Sequence, residues 1–206
     1  MIEDDDLYGF LHDSAALIGA PLVRVADGRT PWEVFEDKRL LGNSRLAPCS
    51  HALKIVPCRR WLAAHANPAN TVLYIGIDSS KRDRNRAPGI QHGWRRWRVE
   101  FPLLDEPELS KADMLAEARS LGLTPPLAYD LGYDHANCGQ LCVRGGKKHW
   151  LRTLRFFPDR FADYEAREQR FRDRSGKNVA ILTERRAGET IPLPLAELRR
   201  VYESSL

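Results

Sequence analysis

Leu7, Phe10, Leu11, Leu17 and Ile18 recur at helical spacing, and Gly19-Ala20-Pro21 supplies a stop, so the pattern predicts a first helix over that stretch. Leu22-Val23-Arg24-Val25 reads as a short strand. Thr30-Pro31-Trp32-Glu33 has the features of a helix start: Thr30 caps, Pro31 takes the first turn and Glu33 reaches back, with the helix running to about Leu40. Beyond a polar loop, Ser50 is placed to cap a helix through Leu53, Val56, Trp61 and Leu62, which Pro57 kinks or delays. The unbroken apolar run Thr71 to Ile77 predicts a central, buried strand, and Arg98 to Phe101 a further short one. Ser110 caps a helix through Met114, Leu115 and Ala118 that Gly122 ends. Helices are predicted at about 147–156 and 158–172, a late strand at Asn178 to Leu182, and a closing helix from Leu195 to Tyr202. Strands alternating with helices predict an α/β domain, a mostly parallel sheet flanked by helices, with residues 1–206 forming one domain.

Composition narrows the class. Of 206 residues, 43% are hydrophobic and 29% charged, which supports a packed core and excludes disorder of the whole chain. No run approaches 18 apolar residues, and the acidic start Met1-Ile2-Glu3-Asp4-Asp5-Asp6 lacks the basic flank of a secretory signal. The expected location is cytoplasmic, with no membrane partner. There, four cysteines suggest metal ligands, catalytic thiols or core thiols rather than a disulfide framework. The net charge of +4 suits an anionic partner such as a nucleotide or nucleic acid. It is concentrated in residues 81–98, where seven basic side chains face only Asp83, and in 144–155, which holds no acid; each stretch also reads simply as a solvated surface.

Three stretches carry candidate chemistry. In Cys49-Ser50-His51-Ala52-Leu53-Lys54, a cysteine at a helix N-terminus would have its thiolate stabilised by unpaired backbone N–H groups, with Lys54 adding positive charge one turn on. In His135-Ala136-Asn137-Cys138-Gly139-Gln140-Leu141-Cys142, the two thiols and His135 would share one face of a helical turn, a grouping that suits zinc or an iron–sulfur cluster. The same spacing equally suits two core thiols. Gly76-Ile77-Asp78 ends the predicted central strand and is followed by Arg82, Arg84 and Arg86, which could pair with phosphate.

In order, Cys-Ser-x2-Leu-Lys-x2-Pro (49–57), Tyr-Ile-Gly-Ile-Asp (74–78) and His-x-Asn-Cys-Gly-x2-Cys-Val (135–143), with a following Gly and Trp, resemble the phosphoadenosine phosphosulfate (PAPS) reductase-like branch of the adenine nucleotide alpha-hydrolase, or PP-loop, superfamily. Asp27-Gly28-x-Thr30-x-Trp32-Glu33 and Pro158-x-Arg160-Phe161 add to the likeness, which spans about residues 5 to 200. The resemblance implies a Rossmann-like fold, incomplete at its N-terminal end, with a helical Cys-rich and basic region at about 132–175. It implies ATP or an adenylyl sulfonucleotide as substrate, bound with the help of Lys54, Gly76, Asp78 and Arg84. It also implies a [4Fe–4S] cluster or zinc on Cys49, Cys138 and Cys142, with His135 as a candidate fourth ligand; Cys58 falls outside the motif and is expected in the core. The sequence departs from the family in lacking a Ser-Gly-Gly-x-Asp-Ser phosphate loop and a C-terminal Glu-Cys-Gly-x-His nucleophile, and Lys81 stands where an acid is usual. Complete PAPS reduction is therefore not expected. Two functions follow: the C-terminal part of a nucleotide-activating or sulfur-transfer enzyme whose PP-loop comes from another chain or segment, or a non-catalytic module that binds nucleic acid or a protein partner.

Overall fold

The computed structural model describes residues 3–105 and 107–204. In chain order it runs α1 (Asp5–Ile18), α2 (Pro31–Lys38), α3 (Pro48–Ser50), a π-helical turn (His51–Ile55), α4 (Val56–His65), β1 (Val72–Tyr74), α5 (Lys81–Arg84), α6 (Ala87–Gly93), β2 (Arg98–Glu100), a 3-10 turn (Pro102–Leu104), α7 (Lys111–Ser120), α8 (Leu127–Asp130), a second 3-10 turn (Cys138–Gln140), α9 (Lys147–Phe156), α10 (Pro158–Ser175), β3 (Leu182–Arg186), β4 (Glu189–Leu193) and α11 (Leu195–Glu203). Helix accounts for 54%, so the protein is a mixed helix and strand structure dominated by helix, with small sheets.

The chain forms two compact units. One comprises the segment up to Cys58 together with that from Pro126 onward; the other is Arg59–Pro125. The core of the first unit gathers Trp32 and Phe35 from α2, Trp150 and Leu154 from α9, Phe161, Tyr164 and Phe171 from α10, and Leu195 and Leu198 from α11. Aromatic rings meet there edge-on, with Trp32 and Tyr164 centroids 5.3 Å apart and Trp150 and Phe161 centroids 6.0 Å apart. Glu168 of α10 is buried at 1% exposure, and its carboxylate oxygens accept hydrogen bonds from the backbone N–H groups of Ile181 and Leu195, both at 2.7 Å. One side chain thereby ties α10 to the approach to β3 and to the first turn of α11.

Local signals are realised where they need no distant partner. Thr30 accepts from the Glu33 N–H while the Glu33 carboxylate accepts from Thr30 N–H, a complete capping box. Ser110 and Asp113 make the same arrangement at α7, and Gly19 closes α1 at φ 70°. β3 and β4 pair antiparallel through Ala187-Gly188, both at positive φ, the backbone that a two-residue hairpin turn requires.

Longer-range expectations fare differently. Leu22–Val25 is not a strand; it is mostly exposed coil with no ladder partner among the described residues. The Thr71–Ile77 run is not a central buried strand. Only Val72–Tyr74 pairs, parallel to Arg98–Glu100, and Tyr74 is 68% exposed. In a two-stranded sheet both strands are edges, so an apolar run gains cover from only one neighbour. The late strand begins at Leu182, where the expected segment ends, because pairing is set by the hairpin turn rather than by the apolar run before it. Ser50 makes no cap: α3 starts at Pro48, and the π-helical turn absorbs the register change before Pro57, which has no N–H to offer the ladder.

Candidate functional site

Residues 135–145 of the first unit do not form the expected helix. Cys138, Gly139 and Gln140 all adopt positive φ, at 60°, 54° and 62°. A left-handed turn of this kind is unfavourable for Cys and Gln, which carry a Cβ, and it persists only where surrounding contacts hold it. Those contacts are present. The Gln140 carbonyl accepts from His149 Nε2 at 2.8 Å and from Thr153 Oγ1 at 2.9 Å, both on α9. Arg160 of α10 donates to the Gly139 carbonyl at 3.2 Å and to Gln140 Oε1 at 3.0 Å, and pairs with Asp4 at 2.7 Å. On the inner side, the Cys138 N–H donates to the Glu3 carboxylate.

The turn brings Cys138 and Cys142 together by another route than a shared helical face. The Cys138 thiol donates to the Cys142 sulfur, which lowers the Cys142 pKa; the Arg144 backbone N–H and the charges of His135 and Lys54 act in the same direction, against burial. Cys138 is pushed up correspondingly, by that hydrogen bond and by burial. The two thiols are therefore coupled and titrate as a unit. Cys49 lies close enough for the charge on Cys142 to act on its thiol. Its helix start does not lower its pKa, contrary to expectation. Burial raises it first and Cys142 raises it further, while the Ser50 N–H and Lys54 offset only part, because α3 is a single turn with little dipole.

Lys54 and His135, both marked by the sequence, are joined around the thiols by two residues that sequence patterning did not mark, Glu3 and His149. Glu3, its side chain 8% exposed, lies 4.0 Å from Lys54 Nζ; burial raises its pKa, opposed by Lys54 and by the N–H groups of Cys138 and Gly139. In the sequence Glu3 is one of a run of acids, with nothing to distinguish it. His135 keeps a buried Nδ1 without a hydrogen-bond partner among the described residues, and its ring centroid is 5.5 Å from that of His149. Burial lowers the His149 pKa to about 4, so it stays neutral with its proton on Nε2, facing the Gln140 carbonyl. Gly145 lets this ring approach: a Cβ there would lie 2.4 Å from a His149 ring carbon.

A cavity of about 400 Å³ opens over the turn, with Cys138, Leu141, Trp32 and Tyr164 among its walls and Arg160 and Arg167 among its polar residues. Trp32 is 5% exposed and its indole Nε1 lacks a hydrogen-bond partner among the described residues. Burial and the nearby Cys138 and Cys49 raise the Tyr164 pKa, which keeps a neutral phenol beside the thiols.

The other proposed anion-binding residues lie in the second unit. Gly76 follows β1 and is exposed. Asp78 is fixed by the Ser80 N–H at 3.1 Å and by Lys111 at 3.5 Å, and the hydrogen bond to Ser80 lowers its pKa. Arg84 donates to the Ser79 carbonyl at 3.0 Å and pairs with Glu108, so its charge is already engaged. Cys58 is exposed rather than in the core, since α4 turns that face to solvent.

Soft thiolates and an imidazole with an unpartnered buried nitrogen match zinc or an iron–sulfur cluster in donor chemistry. Among the described residues, as they stand, no three His, Cys, Asp or Glu side chains are arranged to hold a metal ion. No helix among them is long and apolar enough to cross a membrane. No family model, curated protein or solved structure matches the chain.

Proposed function

We propose that the protein is a PAPS reductase-like, PP-loop-type component of a sulfur-transfer or nucleotide-activating enzyme, with the Cys49, Cys138 and Cys142 centre as its working part. The observation that carries the reading is a hydrogen-bonded thiol pair on a strained left-handed turn, with a third thiol and Lys54 in electrostatic range. Strain of this kind costs stability and is concentrated at functional sites. The sequence contains no phosphate loop, so ATP or an adenylyl sulfonucleotide would be held with help from outside these residues. Cys49, Cys138 and Cys142 would hold zinc or a [4Fe–4S] cluster, with His135 as the fourth donor or as a hydrogen-bonding neighbour. Three thiolates leave a cluster one position at which sulfur or substrate can be bound. Lys54 offsets the negative charge that accumulates when thiols lose their protons, and the 400 Å³ cavity gives a substrate access to Cys138.

Anaerobic purification followed by metal analysis and visible absorption tests the reading. Iron with sulfide, or zinc, at one site per chain is expected, and Cys→Ser at position 49, 138 or 142 abolishes it while Cys58→Ser leaves it intact. Metal-free protein after anaerobic expression and reconstitution, or metal retained in Cys142→Ser, would overturn it.

A further inference from the structure

The second unit carries a basic, aromatic cleft that the thiol centre does not use. Trp94-Arg95-Arg96-Trp97 forms a tight turn in which the Trp97 N–H donates to the Trp94 carbonyl at 2.8 Å. The turn places two indoles at its ends and two guanidiniums at its tip. Arg59, on α4, donates to the Gly93 carbonyl at 2.7 Å and lies over the Trp94 ring at 5.1 Å from its centroid. These residues line a cleft of about 380 Å³, enough for one nucleotide unit. Arg59, Arg95 and Arg96 are exposed, and among the described residues none of the three has a carboxylate partner. Trp94 is buried at 9% exposure while Trp97 is half-buried, so Trp94 anchors the turn and Trp97 presents a face.

From this we infer that the Arg59–Trp97 cleft binds a nucleobase together with its phosphate, as part of a single-stranded nucleic acid. Aromatic faces stack on any base, and guanidiniums pair with backbone phosphate bidentately. Among the described residues no acid lines the cleft wall to repel the phosphate. Charge alone would draw any polyanion; the half-buried Trp97 indole in the same cleft points to an anion that carries a planar ring. The cleft is built from residues 59–97, so the inference does not depend on the thiol centre.

The test is fluorescence anisotropy of the full chain with labelled oligo-dT of twelve nucleotides, with AMP and polyglutamate as competitors. Binding is expected, and Arg95→Ala with Arg96→Ala should weaken it about 50-fold at 50 mM salt and lower the salt slope by about 1.4, the effect of two lost phosphate contacts on a single strand. Trp97→Leu should weaken it about tenfold at every salt concentration, with the slope unchanged. Failure of AMP to compete supports binding of a strand, whereas AMP competing as well as unlabelled oligo-dT would assign the site to a free nucleotide and overturn the strand inference. Polyglutamate competing as well as unlabelled oligo-dT, or Trp97→Leu binding like the parent, would overturn it. The Cys142→Ser variant is expected to bind oligo-dT normally, which separates failure here from failure at the thiol centre.

Discussion

Replacing Glu168 by alanine tests whether the first unit is held by the ties that its carboxylate makes. The side chain is buried, and its two oxygens take the N–H groups of Ile181 and Leu195, which are themselves fully buried. Leu195 opens α11, where the first N–H groups have no partner within the helix. Removing the carboxylate strands two buried donors at about 1–3 kcal/mol each, together about 2–6 kcal/mol. Against a total stability of about 5–15 kcal/mol this is a large fraction. At about 2–4 °C per kcal/mol for a chain of this size, the centre of that range lowers Tm by roughly 12 °C. Glu168→Gln keeps one acceptor and turns an NH2 toward the other N–H, so about half the loss is expected. Urea unfolding followed by near-ultraviolet circular dichroism measures both. A loss below about 1 kcal/mol in Glu168→Ala, or equal losses in the two variants, would refute the reasoning. The pH dependence has a definite sign. Burial raises the Glu168 pKa above its ordinary value of 4.5, with the two backbone N–H groups opposing. The folded state therefore holds the proton more tightly than the unfolded one. The stability from this linkage is full below pH 4.5 and is lost as pH rises through the folded-state value. The parent should gain stability relative to Glu168→Gln on acidification toward pH 4.5, and a gap that narrows instead would count against the burial argument.

Other outcomes follow from the same geometry. Gly145→Ala would set a Cβ 2.4 Å from a His149 ring carbon and 2.9 Å from the Cys142 carbonyl, so a loss of about 1–3 kcal/mol is expected together with altered thiol reactivity in Ellman titration; unchanged stability would mean the ring can move aside freely. In metal-free protein at pH 7, ultraviolet thiolate absorbance should be present, and Cys142→Ser should remove it while Cys58→Ser should not; absorbance that survives Cys142→Ser would place the low-pKa thiol elsewhere. Ala187→Gly should stabilise the β3–β4 hairpin by about 1 kcal/mol, because Ala187 sits at φ 49°, where a Cβ is disfavoured; a destabilised variant would show that the turn does not hold that backbone in solution.

The sequence alone determined what depends on neighbours in the chain. Thr30 and Ser110 announce capped helices, Gly19 a helix stop, and the apolar spacing of 147–156 and 158–172 two helices, because caps and periodicity act over a few residues. The four-residue spacing of Cys138 and Cys142 also put those two thiols near one another, although as a pair of core thiols as readily as a site. Tertiary structure decided the rest. Whether Thr71–Ile77 became a central strand depended on how many strands were available to pair with it, and one short parallel neighbour leaves it at an edge. A left-handed turn at Cys138-Gly139-Gln140 has no local signature, since Cys and Gln disfavour it; His149, Thr153, Arg160 and Glu3 impose it from distant parts of the chain. The coupling of Cys138 to Cys142 follows from that turn. Spacing of four residues brings thiols together on a helix or on a tight turn alike, and only the packed fold settles what surrounds them, because burial, backbone N–H groups and the charge of Lys54 act through space rather than along the sequence.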